Sequence, residues 1–435
     1  MLTWRTVLFL SLLQAAHLAA QFTWTPLAPL PLPTANAAVC AAQVNGQQQV
    51  YVFGGITTGL GAAHIHQQAF RYAVDADTWW LLPDLPDTLG KIAAAASVVG
   101  DTAYVIGGYH VFNGPPYERS SDRVHRLDLT SNTWLPDGAA VPVPIDDQVQ
   151  AVWRDSLIYV ITGWSNTANV PNVQVYDPAH DQWSAATPVP NTNQYKAFGA
   201  SGTIIGDTIY YFGGASMGGS FPAQDRLRIG HIDPLAPTSI TWLPAVTGGL
   251  GPRYRAACVA YNDAPLWLGG SAVSYNYDAV AYNGSGVVAP ATAIQRWNGT
   301  AMVAAGTTVP AVMDLRGAGE LDNGSFVIAG GIGTAQRVLD NVWLLSPGDV
   351  GMVERSVTRL ALWPNPATNA CTVLVPHGRG GHYILRDALG RSLLSGTFQG
   401  ELLHLHLRSV PRGAHGIEVF AAPGEGPLRT RVVRE

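Results

Sequence analysis

Charge is scarce in this chain. Asp, Glu, Lys and Arg together make up 13% of its 435 residues. Long solvated helices need a charged outer face, so the sequence has little material for them. Its 47 glycines and 30 prolines suit many short strands joined by tight turns. A formal net charge of −5 leaves no basic footprint, and no nucleic-acid partner is expected. Cysteine is also rare, with only Cys40, Cys258 and Cys371. An odd count is poor material for a disulfide framework. Beyond the first twenty residues no apolar run is long enough for a bilayer, so no transmembrane segment is expected. The zinc-protease pair, the Gly-x-Ser-x-Gly elbow and the phosphate loop are missing too. No catalytic residue, metal ligand or cofactor is therefore assigned.

What the chain does have begins at its N-terminus. Residues 1–20 carry one arginine, Arg5, then the apolar stretch Val7 to Leu13, then small residues up to Ala20. This is the pattern of a signal peptide.

A strand ending in a glycine pair then recurs. The copies are Tyr51 to Gly55, Tyr104 to Gly108, Tyr159 to Gly163, Tyr210 to Gly214, Leu266 to Gly270 and Phe326 to Gly331, spaced by about 51 to 61 residues. A tryptophan follows each of the first five: Trp79, Trp134, Trp183, Trp242 and Trp297. Between strand and tryptophan lies a second apolar strand, as in Val173 to Asp177. In the second copy Gly100-Asp101 reads as a two-residue hairpin turn. The third copy has Thr162 in place of the first glycine, and in the fifth Ala293 to Trp297 reads as two elements run together. The sixth has no tryptophan after it, but Trp24 stands in an orphan strand near the N-terminus. Pairing that strand with the one around Trp343 completes a sixth unit and leaves no long exposed edge.

Strand, glycine pair, second strand and tryptophan together resemble the kelch family over roughly residues 22 to 348. The resemblance implies an all-β fold, a six-bladed kelch-type β-propeller over 21–348. Trp24, Trp79, Trp134, Trp183, Trp242 and Trp297 are then expected to wedge between adjacent blades. Cys40 and Cys258 fall two blades apart and are expected as small buried thiols.

After a linker at 349–358, residues 359–435 hold six or seven short strands, as expected of a small β-sandwich. Pro364-Asn365-Pro366, the turn from Asp387 through Gly390 to Arg391, the stretch from Leu407 to Gly413 and the basic tail Arg431 to Arg434 resemble the type A sorting domain of the type IX secretion system of Bacteroidota. The chain departs from that family at Ala414-His415-Gly416, where an aromatic is usual. The resemblance implies passage through the outer membrane by the type IX machinery, and a secreted or cell-surface protein.

Candidate binding residues come from aligning the starts of the inner strands: Asn36, Lys91, Gln148, Lys196, Arg255 and Arg316. Four of the six are cationic, which points to one mouth of a central channel able to hold an anionic ligand. The alternative is a solvated rim neutralised by Asp146 and Asp147. Tyr109, Trp164, Tyr195 and Tyr254 are candidate stacking surfaces on the same face. His64 and His66 share one side of a strand without an evident third ligand, and His404 and His406 repeat the spacing on an expected solvated face. The first functional expectation is a monomeric binding protein that recognises a glycan or an extracellular protein. The second is a carbohydrate-active enzyme such as a sialic-acid mutarotase, a function found among exported kelch proteins. The third is a purely structural surface protein.

Overall fold

The computed structural model describes residues 22–308, 310–347, 360–375, 380–387, 391–420 and 428–435. The expected signal peptide, the linker at 349–358 and Gly390 lie outside the described residues. The chain divides after Val350 into two compact units.

Among the described residues the first unit has six antiparallel sheets, each with a main path of four strands, and a two-stranded one that pairs Trp164–Ser165 with Ala168–Asn169. Five of the six follow chain order. The first runs Ala38–Val44, Gln47–Ile56, Ile65–Ala73 and Thr78–Leu82. The inner strands of the next four are Ile92–Val99, Val149–Trp153, Phe198–Ile205 and Ala257–Tyr261. They are rich in alanine, glycine and valine because successive inner strands adjoin one another about a common axis, where large side chains do not fit. The second strands are buried on both faces, as their near-continuous Tyr, Val, Ile and Phe content requires.

The sixth sheet is assembled from both ends of the unit. Gly319–Glu320, Phe326–Ala329 and Val342–Pro347 supply three strands, and Phe22–Leu27 is the outer fourth. Phe22 pairs with Pro347 and Leu27 with Val342, and the Trp24 and Trp343 rings meet edge to face at 6.4 Å. The inner strand Gly319–Glu320 lies beside the first sheet's Ala38–Val44.

The glycine pairs are steric necessities. Gly213 has φ +72°, and a Cβ there would run into the Arg253 carbonyl oxygen of the next connection. Thr162 takes the same left-handed conformation with a side chain (φ +46°). Its hydroxyl donates to the Val170 carbonyl at 2.8 Å and accepts from the Ala197 N–H at 3.2 Å, which ties the third sheet to the fourth. These bonds offset part of the ~1–2 kcal/mol that a left-handed non-glycine residue costs.

The tryptophans bridge sheets. Trp79, Trp134, Trp183 and Trp242 donate their indole N–H to the carbonyls of Ala28, Pro83, Ala139 and Thr187, at 2.8, 2.9, 2.7 and 3.2 Å. Each acceptor lies just past the outer strand of the preceding sheet. Trp297 also lies between two sheets, among Phe212, Leu227 and Ile229 of the fourth, but it comes from a different strand. It ends the third strand, Ala293–Trp297, and faces Met302 on the fourth. Elsewhere that register places Tyr72 opposite Trp79 and Tyr176 opposite Trp183, so Met302 occupies the tryptophan's place and Trp297 the tyrosine's. Both side chains are buried, so ring and thioether have exchanged strands within one apolar wedge.

The second unit contains a three-stranded and a four-stranded antiparallel sheet that contribute to one buried cluster, including Val373, Leu385, Leu403, Leu405, Ile417 and Val432. His404 and His406 are exposed on Leu402–His406, as the strand alternation predicts.

Candidate functional site

The entry to each inner strand is a single residue in the left-handed conformation: Asn36, Ala93, Asp147, Gly199, Arg255 and Asp314, with φ between 48° and 67°. A cycle of hydrogen bonds links them around the axis. The N–H groups of Asn36, Asp147, Gly199 and Arg255 donate to the carbonyls of Asp314, Ala93, Asp147 and Gly199, at 2.8 to 3.0 Å. The Ala93 N–H donates to the Asn36 side-chain oxygen at 2.9 Å, and the Leu315 N–H to the Arg255 carbonyl at 3.0 Å.

This cycle corrects the expected cationic ring. Counted from the residue after each glycine pair, the equivalents of Asn36 and Arg255 are Ala93, Asp147, Gly199 and Asp314. Lys91, Gln148, Lys196 and Arg316 are therefore out of register. A left-handed residue turns the chain without leaving an apolar signature, so aligning apolar runs misplaces the strand start. Lys91 instead sits in a separate buried cluster. Its Nζ lies 2.6 Å from Asp87 and 3.0 Å from His125, while His125 Nδ1 lies 2.8 Å from Asp137. Burial pulls the Lys91 amine below its ordinary range, and the Asp87 carboxylate opposes that shift. Lys196 is half-buried in the connection ahead of the fourth inner strand.

Arg255, Arg316, Gln148 and Asn36 do come together. The Arg255 guanidinium is buried and grips Asp147 at 2.6 and 3.1 Å and Asp314 at 3.0 Å. Burial opposes its charge, but Asp147, Tyr254 and Asp314 outweigh it and hold Arg255 firmly protonated. Burial raises the Asp314 carboxyl above its ordinary value. Arg316 donates to the Gln148 carbonyl at 2.6 Å and lies 3.5 Å from Asp147. These pairs are buried, which a solvated rim would not be.

On the glycine-pair side of the cycle the axis is filled. Ala35, Ile92, Phe198, Tyr254 and Met313 precede the left-handed residues and join Tyr109, Ile332 and the loop residues Tyr275, Ala279 and Val288 in one buried cluster. Tyr109 and Tyr254 are thus core, not stacking surfaces on an open mouth. Trp164 packs on the cluster's edge, and Tyr195 donates to the Leu243 carbonyl at 2.8 Å. Asp146 occupies the matching position in the third sheet. Burial and the charge of Asp147 push its carboxyl well above the carboxylate range, and Ser120 holds it at 2.5 Å.

On the other side of the cycle lies an axial cavity of about 340 Å³, lined by inner-strand residues of all six sheets. Arg316 and Glu320 supply its charged groups, and Ser97, Gln148, Gln150 and Thr203 are among its polar ones. Gln150 donates to the Ser97 hydroxyl at 3.0 Å. Gln148 Oε1 and Arg316 Nε are buried and have no hydrogen-bond partner among the described residues. Glu320 is open to the lumen and accepts the Ala260 N–H at 3.0 Å. The surrounding wall still pushes its carboxyl up to about 7. Sequence reasoning missed Glu320. Its signal was a carboxylate in Gly317-Ala-Gly-Glu320, on an inner strand of otherwise small residues.

His64 and His66 do not converge. The His64 ring lies against Gly59, whereas His66 Nε2 faces the Thr34 hydroxyl at 3.4 Å. In the second unit Asn365, between Pro364 and Pro366, clamps the last strand. It donates to the Arg431 carbonyl at 3.1 Å and accepts from the Val433 N–H at 2.7 Å. Arg391 lies 2.7 Å from the Asp387 carboxylate, and Gly413 opens Gly413–Phe420 at φ +127°. His415 is buried there, and its Nε2 lies 2.8 Å from the Pro411 carbonyl.

Comparison with known proteins agrees with this architecture. A family profile described as the KLHDC2/KLHL20/DRC7 Kelch-repeats domain matches residues 17–214. Kelch-like protein terF of Aspergillus terreus is 27% identical over 61% of this chain and 51% of its own length. Kelch-like protein 35 of Mus musculus is 29% identical over 44% of this chain, and the chain covers 29% of that protein. The chain thus spans about half or less of these curated relatives. A solved structure titled "Structure of YjhT" superposes with a TM-score of 0.59 at 17% identity, over 74% of this chain and 98% of the other. Residues 17–214 thus carry kelch repeats, and the first unit has a propeller fold.

Proposed function

We propose that this chain is a secreted or cell-surface binding protein that takes the end of a glycan into its axial cavity. The observation that carries the reading is the cavity itself. It reaches every inner strand, and polar side chains, Ser97, Gln148, Gln150, Ser201, Thr203, Arg316 and Glu320, stand among its small apolar ones. Export rests on the signal-peptide pattern at 1–20 and on the second unit, read as a type IX sorting domain in a small β-sandwich. The Asn365 clamp and the Asp387–Arg391 pair give its motifs structural work. A glycan array probed with the chain from Phe22 onward tests binding, and no bound glycan refutes it. Fusing 359–435 to a periplasmic reporter in cells with and without the type IX machinery tests export, and equal surface delivery in both refutes it.

Glu320 favours one second reading, a carbohydrate-active enzyme such as a sugar mutarotase. Opening a cyclic sugar needs one group to give a proton and another to take one, and a carboxyl near 7 does either at neutral pH. Anomer exchange measured by NMR, with Glu320→Gln as control, tests it. A rate equal to the uncatalysed one for every sugar tried excludes it.

A further inference from the structure

We propose that the axial cavity selects an uncharged polyhydroxylated ligand of mono- or disaccharide size, admitted through the mouth at the inner hairpin turns. This rests on the reading of the cavity as the binding site, and it reverses the anionic ligand expected from the aligned cations.

Access comes first. The glycine-pair mouth is closed by the buried aromatic cluster, over which Tyr275, Ala279, Ala281 and Val288 of one long connection are packed. The cavity lining instead extends along the inner strands to Val98, Val152 and Ile204, close to the turns at 100–101, 154–156 and 206–207. A ligand that reaches Gln148 and Arg316 therefore enters past those turns.

Charge decides the class. At the buried end the two guanidiniums of Arg255 and Arg316 face the two carboxylates of Asp147 and Asp314, which leaves no excess of positive charge. Glu320 adds an acid further down the lumen. A carboxylate ligand would lose its hydration there and meet no unneutralised cation in return. Hydroxyl groups suit the site better, because each both donates and accepts. Ser97, Gln150, Ser201 and Thr203 supply such donors and acceptors along the wall. Size limits the rest. A cavity of about 340 Å³ is at the small end of ligand pockets, enough for one or two sugar rings and too narrow for a folded partner.

The test is saturation-transfer NMR on the chain from Phe22 onward, followed by titration calorimetry. The probes are glucose, galactose, N-acetylglucosamine and lactose, set against glucuronic acid, galacturonic acid and sialic acid. We expect transfer to at least one neutral sugar, and at least tenfold weaker binding of the matching uronic acid. Ser201→Trp and Thr203→Phe, which fill the lumen, should each abolish binding with an unchanged circular dichroism spectrum. Val287→Trp, on the exposed cap, should leave it intact. Acidic sugars that bind as well as or better than neutral ones overturn the inference while the cavity reading stands. Loss of binding in Val287→Trp with retention in both lumen variants overturns the entry route and the cavity reading together. If no small sugar binds but the array finds a longer glycan, the inference falls and the reading survives.

Discussion

Replacing Arg255 by methionine tests whether the axis of this fold is held by buried charge. The change keeps much of the side-chain volume and removes the guanidinium that joins Asp147 to Asp314. Breaking a buried pair by deleting one partner costs about 3–5 kcal/mol, because the remaining charge is left without compensation. Here two carboxylates lose their partner, but Asp147 retains Arg316 at 3.5 Å. Asp314 retains only the Tyr275 hydroxyl at 3.3 Å. We therefore expect a loss of about 4 kcal/mol at pH 8. The sign of the pH dependence follows from Asp314. Burial already raises its carboxyl above the unfolded value, and removing Arg255 raises it further. The folded variant then binds more protons than the unfolded chain, so its stability recovers as pH falls and the deficit shrinks toward pH 5. The assay is urea unfolding followed by tryptophan fluorescence. Trp363 is the one tryptophan of the second unit, so the signal reports mainly on the first. Asp314→Asn added to Arg255→Met should restore part of the loss at pH 8. A deficit below about 1 kcal/mol, or one that is equal at pH 5 and 8, would refute the buried-charge argument.

Three other outcomes are expected. Trp24→Ala removes a half-buried ring from Trp343 and should cost about 2 kcal/mol in urea unfolding, less than the 3–5 of a fully buried aromatic. Gly213→Ala forces a Cβ against the Arg253 carbonyl at positive φ and should cost more than about 1 kcal/mol, whereas Gly100→Ala, with open space around it, should cost less. Burial lowers the His66 imidazole to about 4, so the unfolded chain binds the extra proton between pH 6.5 and 4. Its contribution is complete above pH 6.5 and is lost as pH falls through that window, by at most about 3 kcal/mol. His66→Gln should flatten that part of the stability profile, and an unchanged slope between pH 7 and 4.5 would count against it.

The architecture was legible where sterics force a residue type. Glycine pairs mark the strand ends because a Cβ at Gly213 or Gly330 meets a neighbouring carbonyl, and no other residue substitutes cheaply. Trp24 announced its strand because a large ring needs a wedge to fill. The site was legible only in part. Asn36 and Arg255 take the left-handed position and Lys91 and Lys196 do not, because the left-handed residue at the entry of each inner strand can be Asn, Ala, Asp, Gly or Arg. Its constraint is backbone hydrogen bonding, which side-chain identity does not report. Trp297 misled for a related reason. Periodicity records that a large apolar group is near, and Met302 satisfies the same wedge from the opposite strand. The filled mouth was hidden as well, since Tyr109 and Tyr254 read equally as exposed platforms or as core until their neighbours are known.

The sixth sheet makes completeness a condition of stability. Its outer strand, Phe22–Leu27, is the first of its unit in chain order, and its partner, Val342–Pro347, the last. Until the partner arrives, the early strand has nothing to pair with and the first sheet's flank stays uncovered. A chain that stops before Val342, or is clipped after Leu27, keeps five sheets intact yet exposes an unpaired edge. A truncated copy therefore carries an open strand edge, a form of sheet prone to edge-to-edge aggregation.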